Sequence, residues 1–214
     1  MPRYIISLFF ILIFQIISFA QDYGQKIDSK IFQEAQGFPK DEMFGNYDYL
    51  IFKIDNDDYI IKNKENINLE NYKEFKLSTQ KGYIIIYLTY LKENNYIYFF
   101  YYQSNADYGG SSLCKFDLNT KKIIWNAEVH TLNPGRPVLT NDGLYLSGYE
   151  IMYKIDKNSG KTLWTLKYPV NGYILDTYAP AEVYENVVVY KDRSKHHIYL
   201  VIDKKNGKLL NKVE

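Results

Sequence analysis

The chain has 214 residues, of which 46% are apolar and 24% are charged, so one globular domain or two small ones fit its composition. The same composition excludes a coiled coil and a disordered acidic or basic tail. A formal net charge of +1 provides no electrostatic footprint for nucleic acid or for an anionic membrane. The 23 Tyr and 12 Phe residues favour strands over helices.

Residues 1–20 have the features of a secretory signal peptide. Arg3 supplies a minimal positive charge, and the 16 residues from Tyr4 to Phe19 are almost wholly apolar. This run is shorter than the roughly 20 residues that span a bilayer, and the small residues Ser18 and Ala20 favour cleavage over an uncleaved anchor. No Cys follows the run, which excludes a lipoprotein signal. We therefore expect a cleaved signal helix and an exported protein, periplasmic or secreted, with no membrane contact after cleavage.

A polar N-terminal segment, residues 21–45, follows the signal. Ile27, Ile31 and Ala35 are spaced four apart, as on successive turns of a helix. This spacing predicts a short surface helix or loop ahead of the main domain, residues 46–214.

Cys114 is the single cysteine, so an intramolecular disulfide is impossible. It lies in the apparent strand Leu113-Cys114-Lys115-Phe116. This position is typical of a buried and inert thiol.

The chain contains an internal repeat. Three segments align without gaps: Asp117 to Trp125, Asp156 to Trp164, and Asp203 to Asn211. In each segment the leading Asp can close a turn through its carboxylate. Gly160 and Gly207 stand where a positive φ is needed, and Lys121 takes that place in the first copy. Each copy therefore predicts a hairpin that follows an apolar strand.

A second hairpin lies upstream of each repeat, with its turn at Glu93-Asn94-Asn95, at Asn141-Asp142-Gly143, or at Glu185-Asn186. Each period thus holds four short antiparallel strands. The strands 84–88 and 187–190 are apolar on both faces, as expected for sheets covered on both sides by neighbouring propeller blades. Three further strands are predicted before Tyr83, at 47–54, 59–62 and 72–77, which brings the total to about four blades.

The repeat resembles that of the quinoprotein-like β-propellers, also called pyrroloquinoline-quinone-like or tryptophan-docking repeats. The resemblance covers residues 83–214. The residues that define it here are Asp117, Trp125, Asp142, Gly143, Asp156, Gly160, Trp164, Asp203 and Gly207. It implies that Trp125 and Trp164 dock between adjacent blades as core residues, and Asn211 stands where a third Trp would lie.

Closed members of that family have about seven or eight blades. This chain is therefore expected to be all-β, with antiparallel four-stranded blades forming a small or incomplete β-propeller. An incomplete arc would present unpaired strand edges, which favour a protein partner or self-association.

No catalytic, cofactor-binding or metal-binding residue is expected. The resemblance implies that a dehydrogenase of this family uses an adjacent pair of cysteines, a calcium ion and an Asp base, and this chain has one Cys. His196 and His197 would point to opposite faces of a strand. The turn at residues 55–58 has Tyr59 and Ile60 where a calcium loop needs an oxygen ligand and a Gly. Gly109-Gly110-Ser111-Ser112 precedes no helix, so it predicts a flexible loop instead of a phosphate site.

The leading expectation is a non-enzymatic exported module that binds a protein or is associated with the cell envelope, without a cofactor. Two alternatives remain open. One is a remnant or fragment of a pyrroloquinoline-quinone-dependent dehydrogenase. The other is a saccharide-binding protein that uses exposed tyrosines.

Overall fold

The structure, a computed structural model, describes residues 23–41, 46–67, 69–105, 108–130, 135–148, 151–168, 179–191 and 198–213. Within these ranges every regular element is a strand, and the strands form four sheets. None of the described segments is an apolar helix of membrane-spanning length. The predicted signal helix and the pair His196-His197 lie outside the described residues.

Three short strands open the described chain: β1 (Lys30–Ile31), β2 (Gln33–Glu34) and β3 (Gln36–Asp41). The first sheet has the order β3-β4-β5-β6, with β4 at Asn46–Ile54, β5 at Asp57–Lys62 and β6 at Lys73–Glu74. Its last strand differs from those of the other sheets, because β6 has only two residues and runs parallel to β5. The longer strand predicted for residues 72–77 is therefore wrong in extent.

The second sheet has the order β10-β9-β8-β7-β2, and all its pairings are antiparallel. Its strands are β7 (Ile84–Glu93), β8 (Tyr96–Ser104), β9 (Gly109–Asp117) and β10 (Lys122–Val129), together with β2. The flexible loop predicted for residues 109–112 is wrong, since these residues begin β9. They pair with residues 101–104 of the long strand β8, whose backbone groups need partners along their full length.

The third sheet has the order β1-β11-β12-β13-β14, and the fourth has the order β15-β16-β17-β18. The third sheet contains β11 (Val138–Thr140), β12 (Gly143–Gly148), β13 (Ile151–Ile155) and β14 (Thr162–Lys167). The fourth contains β15 (Glu182–Val183), β16 (Val187–Lys191), β17 (Tyr199–Asp203) and β18 (Leu209–Val213). The hairpins predicted from the three aligned segments are present in the second, third and fourth sheets.

The four sheets stack face to face in chain order. One apolar cluster lies between each consecutive pair, so the second and third sheets are covered on both faces. In β8, for example, Phe99 packs toward the first sheet and Phe100 toward the third, and both are fully buried. This explains why such strands are apolar on both faces. The predicted fold, all-β with antiparallel propeller-type blades, is confirmed.

The N-terminal segment, residues 23–41, pairs with the inner edge of all four sheets, and we call it the strap. Lys26 bridges to Tyr184 beside the fourth sheet, β1 pairs with β11, β2 with β7, and β3 with β4. The surface helix or loop expected here is wrong. Extended backbone satisfies the edge groups of four separate sheets, which a helix cannot do.

Apolar side chains of the strap also enter the sheet junctions. Phe32 is fully buried between the second and third sheets, Ile27 packs between the third and fourth, and Ala35 packs between the first and second. Tyr23 covers the far face of the fourth sheet. Ile31, which suggested a helical period, is 47% exposed.

Candidate binding site at the outer junctions of the sheets

Each aligned segment begins with a turn that an Asp carboxylate closes. Asp156 accepts hydrogen bonds from the backbone N–H groups of Asn158 and Ser159 at 3.1 and 2.7 Å. Asp117 and Asp203 do the same in their own turns, with N···O distances of 2.8 Å to the residue two positions on. The side-chain and backbone hydrogen bonds from Ser159 lower the pKa of Asp156. These carboxylates are therefore acceptors within their own turns.

Trp164 of the third sheet docks on the turn of the fourth sheet. Its indole Nε1 donates to the Lys204 carbonyl at 2.9 Å, and the side chain is 6% exposed. Gly207 has a φ of +74°, and a Cβ added there would lie 2.8 Å from the indole. Glycine is thus required both by the backbone conformation and by the ring.

Trp125 of the second sheet docks on the third sheet in the same way. Its Nε1 donates to the Lys157 carbonyl at 3.3 Å, and a Cβ at Gly160 would lie 2.6 Å from its ring. A tyrosine supports each indole with ring centroids 6.2 Å apart, Tyr98 beside Trp125 and Tyr145 beside Trp164. Two successive junctions are therefore built on one plan.

Asp142 adds an ionic link at the junction of the third and fourth sheets. Its Oδ2 lies 3.0 Å from Lys154 Nζ and 3.2 Å from Lys204 Nζ, and its Oδ1 accepts from the Thr140 hydroxyl at 2.7 Å. Burial alone would raise the pKa of Asp142. The Thr140 hydroxyl and the two ammonium groups outweigh that effect and hold the pKa at about 2. The neighbouring Gly143 begins β12, where a Cβ would lie 2.9 Å from the Ile155 carbonyl oxygen.

The junction of the first and second sheets departs from this plan. The turn that begins at Asp117 carries Lys121 at a φ of +56° where the other two turns have glycine. No indole covers this turn, because the short parallel β6 replaces the long outer strand that brings Trp125 and Trp164 to theirs. Phe116 is consequently only partly buried, whereas Ile155 and Ile202, its equivalents in the other copies, are both 0% exposed.

A cleft of about 620 Å³ lies where the missing indole would dock, and we call it the first-junction cleft. Its apolar walls are Tyr59, Phe75, Phe116 and Leu118, and its polar lining is Lys73, Glu74, Lys76 and Lys121. The rings of Phe75 and Phe116 lie 4.7 Å apart, between centroids, at one wall. The sequence contains the signal for this cleft, namely Lys121 at the Gly position with no Trp upstream.

A second surface feature recurs once per repeat on the outermost strands. β10, β14 and β18 each end their sheet, and each exposes a large apolar side chain directly before the docking position. These side chains are Ile124, Leu163 and Leu210, which are 50%, 52% and 40% exposed. We call these three residues the rim row. On β10 the residue that precedes Ile124, Ile123, is also exposed, at 38%.

In the described part of the chain, the side chains considered for catalysis or metal binding are buried or form ion pairs. Cys114 is fully buried, and burial raises the pKa of its thiol to about 12. In the hairpin turn at residues 55–58, Asp55 pairs with Lys92 and Asp57 with Lys73. Among the described residues no group of three or more His, Cys, Asp and Glu side chains could hold a metal ion.

Comparison with known proteins shows similarity to solved structures. No family model matches the chain, and no curated protein matches it. Among solved structures it is similar to the crystal structure of BamB from Moraxella catarrhalis, with a TM-score of 0.41 and 15% sequence identity. The match covers 59% of this chain and 34% of that chain, so it spans about a third of that protein.

Proposed function

We propose that the protein is a non-enzymatic exported module that binds a protein partner along the outer edges of its sheets, at the cell envelope. The observation that carries this proposal is the rim row. Ile124, Leu163 and Leu210 expose apolar area at the same position of three consecutive edge strands.

Edge strands offer two kinds of contact at once. Their outward backbone N–H and C=O groups can pair with an added strand, and alternate side chains can fill pockets on the partner. On β10 and β14 the apolar residues Ile124 and Leu163 are followed at the next outward position by the exposed polar residues Asn126 and Thr165. This pattern supports recognition of an extended partner segment with matching alternation.

The chemistry of the described residues supports binding over catalysis. The repeated aspartates are used within their turns, and the cysteine thiol is buried and protonated. The signal features of residues 1–20 support export. N-terminal sequencing of protein purified from the producing cells tests this directly, and we expect a mature chain that starts at Gln21.

The decisive experiment compares two double variants of the exported chain. Ile124→Lys with Leu163→Lys removes two members of the rim row, whereas Asn126→Lys with Thr165→Lys adds the same charge to the same strands. We expect the first pair to lower retention of a crosslinked envelope partner about tenfold and the second to leave it nearly unchanged. Equal retention by both pairs, or a monomer that retains no partner, would contradict the proposal.

A further inference from the structure

The first-junction cleft lacks an indole that both following junctions contain. At those junctions a tryptophan covers the apolar residue before the leading Asp and donates to the carbonyl of the residue after it, Lys157 or Lys204. In the first copy the equivalent positions are Phe116 and Leu118. Phe116 is only partly covered, and no side chain among the described residues donates to the Leu118 carbonyl.

The walls of the cleft are more apolar than the equivalent surface of the other turns. Leu118 replaces the lysines Lys157 and Lys204, and Tyr59 and Phe75 add aromatic area from the first sheet. At the turn position where Gly160 and Gly207 have no side chain, the first copy has Lys121. The Lys121 side chain therefore prevents an incoming ring from lying flat on the turn as Trp125 does on its own. The open space for a ring is beside the turn, against Phe75 and Phe116.

Of the four charged side chains that line the cleft, three have an ion-pair partner in the described part of the chain and one does not. Lys73 pairs with Asp57 at 2.6 Å, and Glu74 accepts from Lys62 at 3.0 Å and lies 3.5 Å from Lys76. Lys121 has no carboxylate partner among the described residues. A bound aromatic group with a neighbouring negative charge could therefore form an ion pair with the Lys121 ammonium group at the rim of the cleft.

We propose that the first-junction cleft binds an aromatic side chain of a protein partner, and that an acidic group next to that side chain pairs with Lys121. The inference rests on the proposed function and names the chemistry of the partner segment: an aromatic residue beside an Asp, a Glu or a C-terminal carboxylate. The partner's ring lies beside the turn, against Phe75 and Phe116, at the junction that has no internal tryptophan.

The test titrates two small probes into the full ¹⁵N-labelled chain. N-acetyl-tryptophan carries a carboxylate, and N-acetyl-tryptophanamide is neutral and otherwise matched. We expect saturable chemical-shift changes at residues 59, 73–76 and 116–121 below about 10 mM probe, with the carboxylate probe binding about threefold more tightly.

Three variants separate the parts of the site. Leu118→Lys, which installs the residue of the other turns, should weaken both probes about fivefold through lost apolar contact. Leu163→Lys makes the same change on the exposed rim and should leave probe binding unaltered. Lys121→Asn keeps a residue that tolerates a positive φ, and it should abolish the preference for the carboxylate while amide binding persists.

The outcomes discriminate between the two proposals. Absence of saturation, shifts elsewhere in the chain, or equal effects of Leu118→Lys and Leu163→Lys would overturn the cleft as a site. If sedimentation shows self-association that Leu118→Lys abolishes, the occupant is a second copy of this chain, and a foreign partner is excluded. If the probes bind as expected but partner retention does not depend on the rim row, the proposed function fails while the cleft remains a site.

Discussion

Gly207 lies directly beneath the Trp164 indole, close enough that any Cβ at this position would overlap the ring. One residue thus meets two requirements, a left-handed backbone and contact with an aromatic face from the neighbouring sheet. Gly160 and Trp125 repeat the relationship one sheet earlier. The tryptophans and the turn glycines therefore act as pairs that join one sheet to the next.

Substitution of Gly207 by Ala should destabilise the protein by about 2–4 kcal/mol, because backbone strain and overlap with the indole add together. Gly82→Ala is a matched control, since Gly82 has a φ of +82° with nothing within 4 Å of an added Cβ. That variant should cost only about 1 kcal/mol, from φ alone. Urea unfolding measures both, and equal losses would show that the indole contact contributes nothing.

Truncation of Phe32 tests the strap. Phe32→Ala should lower the free energy of unfolding by about 3–5 kcal/mol, because it empties a fully buried position between two sheets. Ile31→Ala, at the adjacent and half-exposed position, should change it by about 0.5 kcal/mol or less. Comparable effects of the two substitutions would contradict the assignment of the strap as a core element.

Asp142 should make stability depend on acid pH. Its folded pKa of about 2 lies below the ordinary Asp value of 3.8, so its contribution is complete above about pH 4 and is lost as the pH falls toward 2. Asp142→Asn should therefore lower the urea midpoint at pH 6 and make little difference near pH 2. Asp57→Asn, on an exposed pair with Lys73 in the first sheet, provides the comparison. A wild-type loss between pH 4 and 2 that persists unchanged in Asp142→Asn would assign the acid sensitivity to other carboxylates.

Cys114 should resist alkylation in the native state. Burial and the raised pKa keep the thiol protonated and inaccessible at pH 8, so iodoacetamide should label it only after unfolding in urea. Thr165→Cys in a Cys114→Ser background, on the exposed face of β14, should be labelled at once. Rapid labelling of native Cys114 would show that the second sheet opens locally.

The repeat could be predicted because the signals that define it are local. Asp at the head of a turn, Gly at its positive φ and an apolar strand before them all lie within a dozen residues. The docking of Trp125 between sheets followed only from the resemblance, and its contact with Gly160, 35 positions further along the chain, was not predicted. Some of the many tyrosines are core residues, since Tyr98, Tyr101 and Tyr145 are buried at the junctions, whereas Tyr108 is 72% exposed. The saccharide site that exposed tyrosines suggested stays a prediction.

The strap could not be predicted, for a physical reason. Ile27, Ile31 and Ala35 have a helical spacing, and a two-residue strand carries too short a pattern to reveal alternation. Its conformation is set by four partners elsewhere in the chain, in β4, β7, β11 and the turn after β15. The first-junction cleft was not predicted, although Lys121 at the Gly position and the missing upstream Trp are visible in the sequence, because the walls Tyr59 and Phe75 come from a distant part of the chain.

Lys26 and Tyr184, which the strap brings together, are 158 positions apart. During synthesis the residues around Lys26 must therefore wait for the fourth sheet before they find their final neighbours. Contacts of such long range slow the search for the native state. We expect amide exchange after refolding to show the sheets protected first and residues 26–36 last, so that the segment joining the four sheets is also the one that completes their assembly.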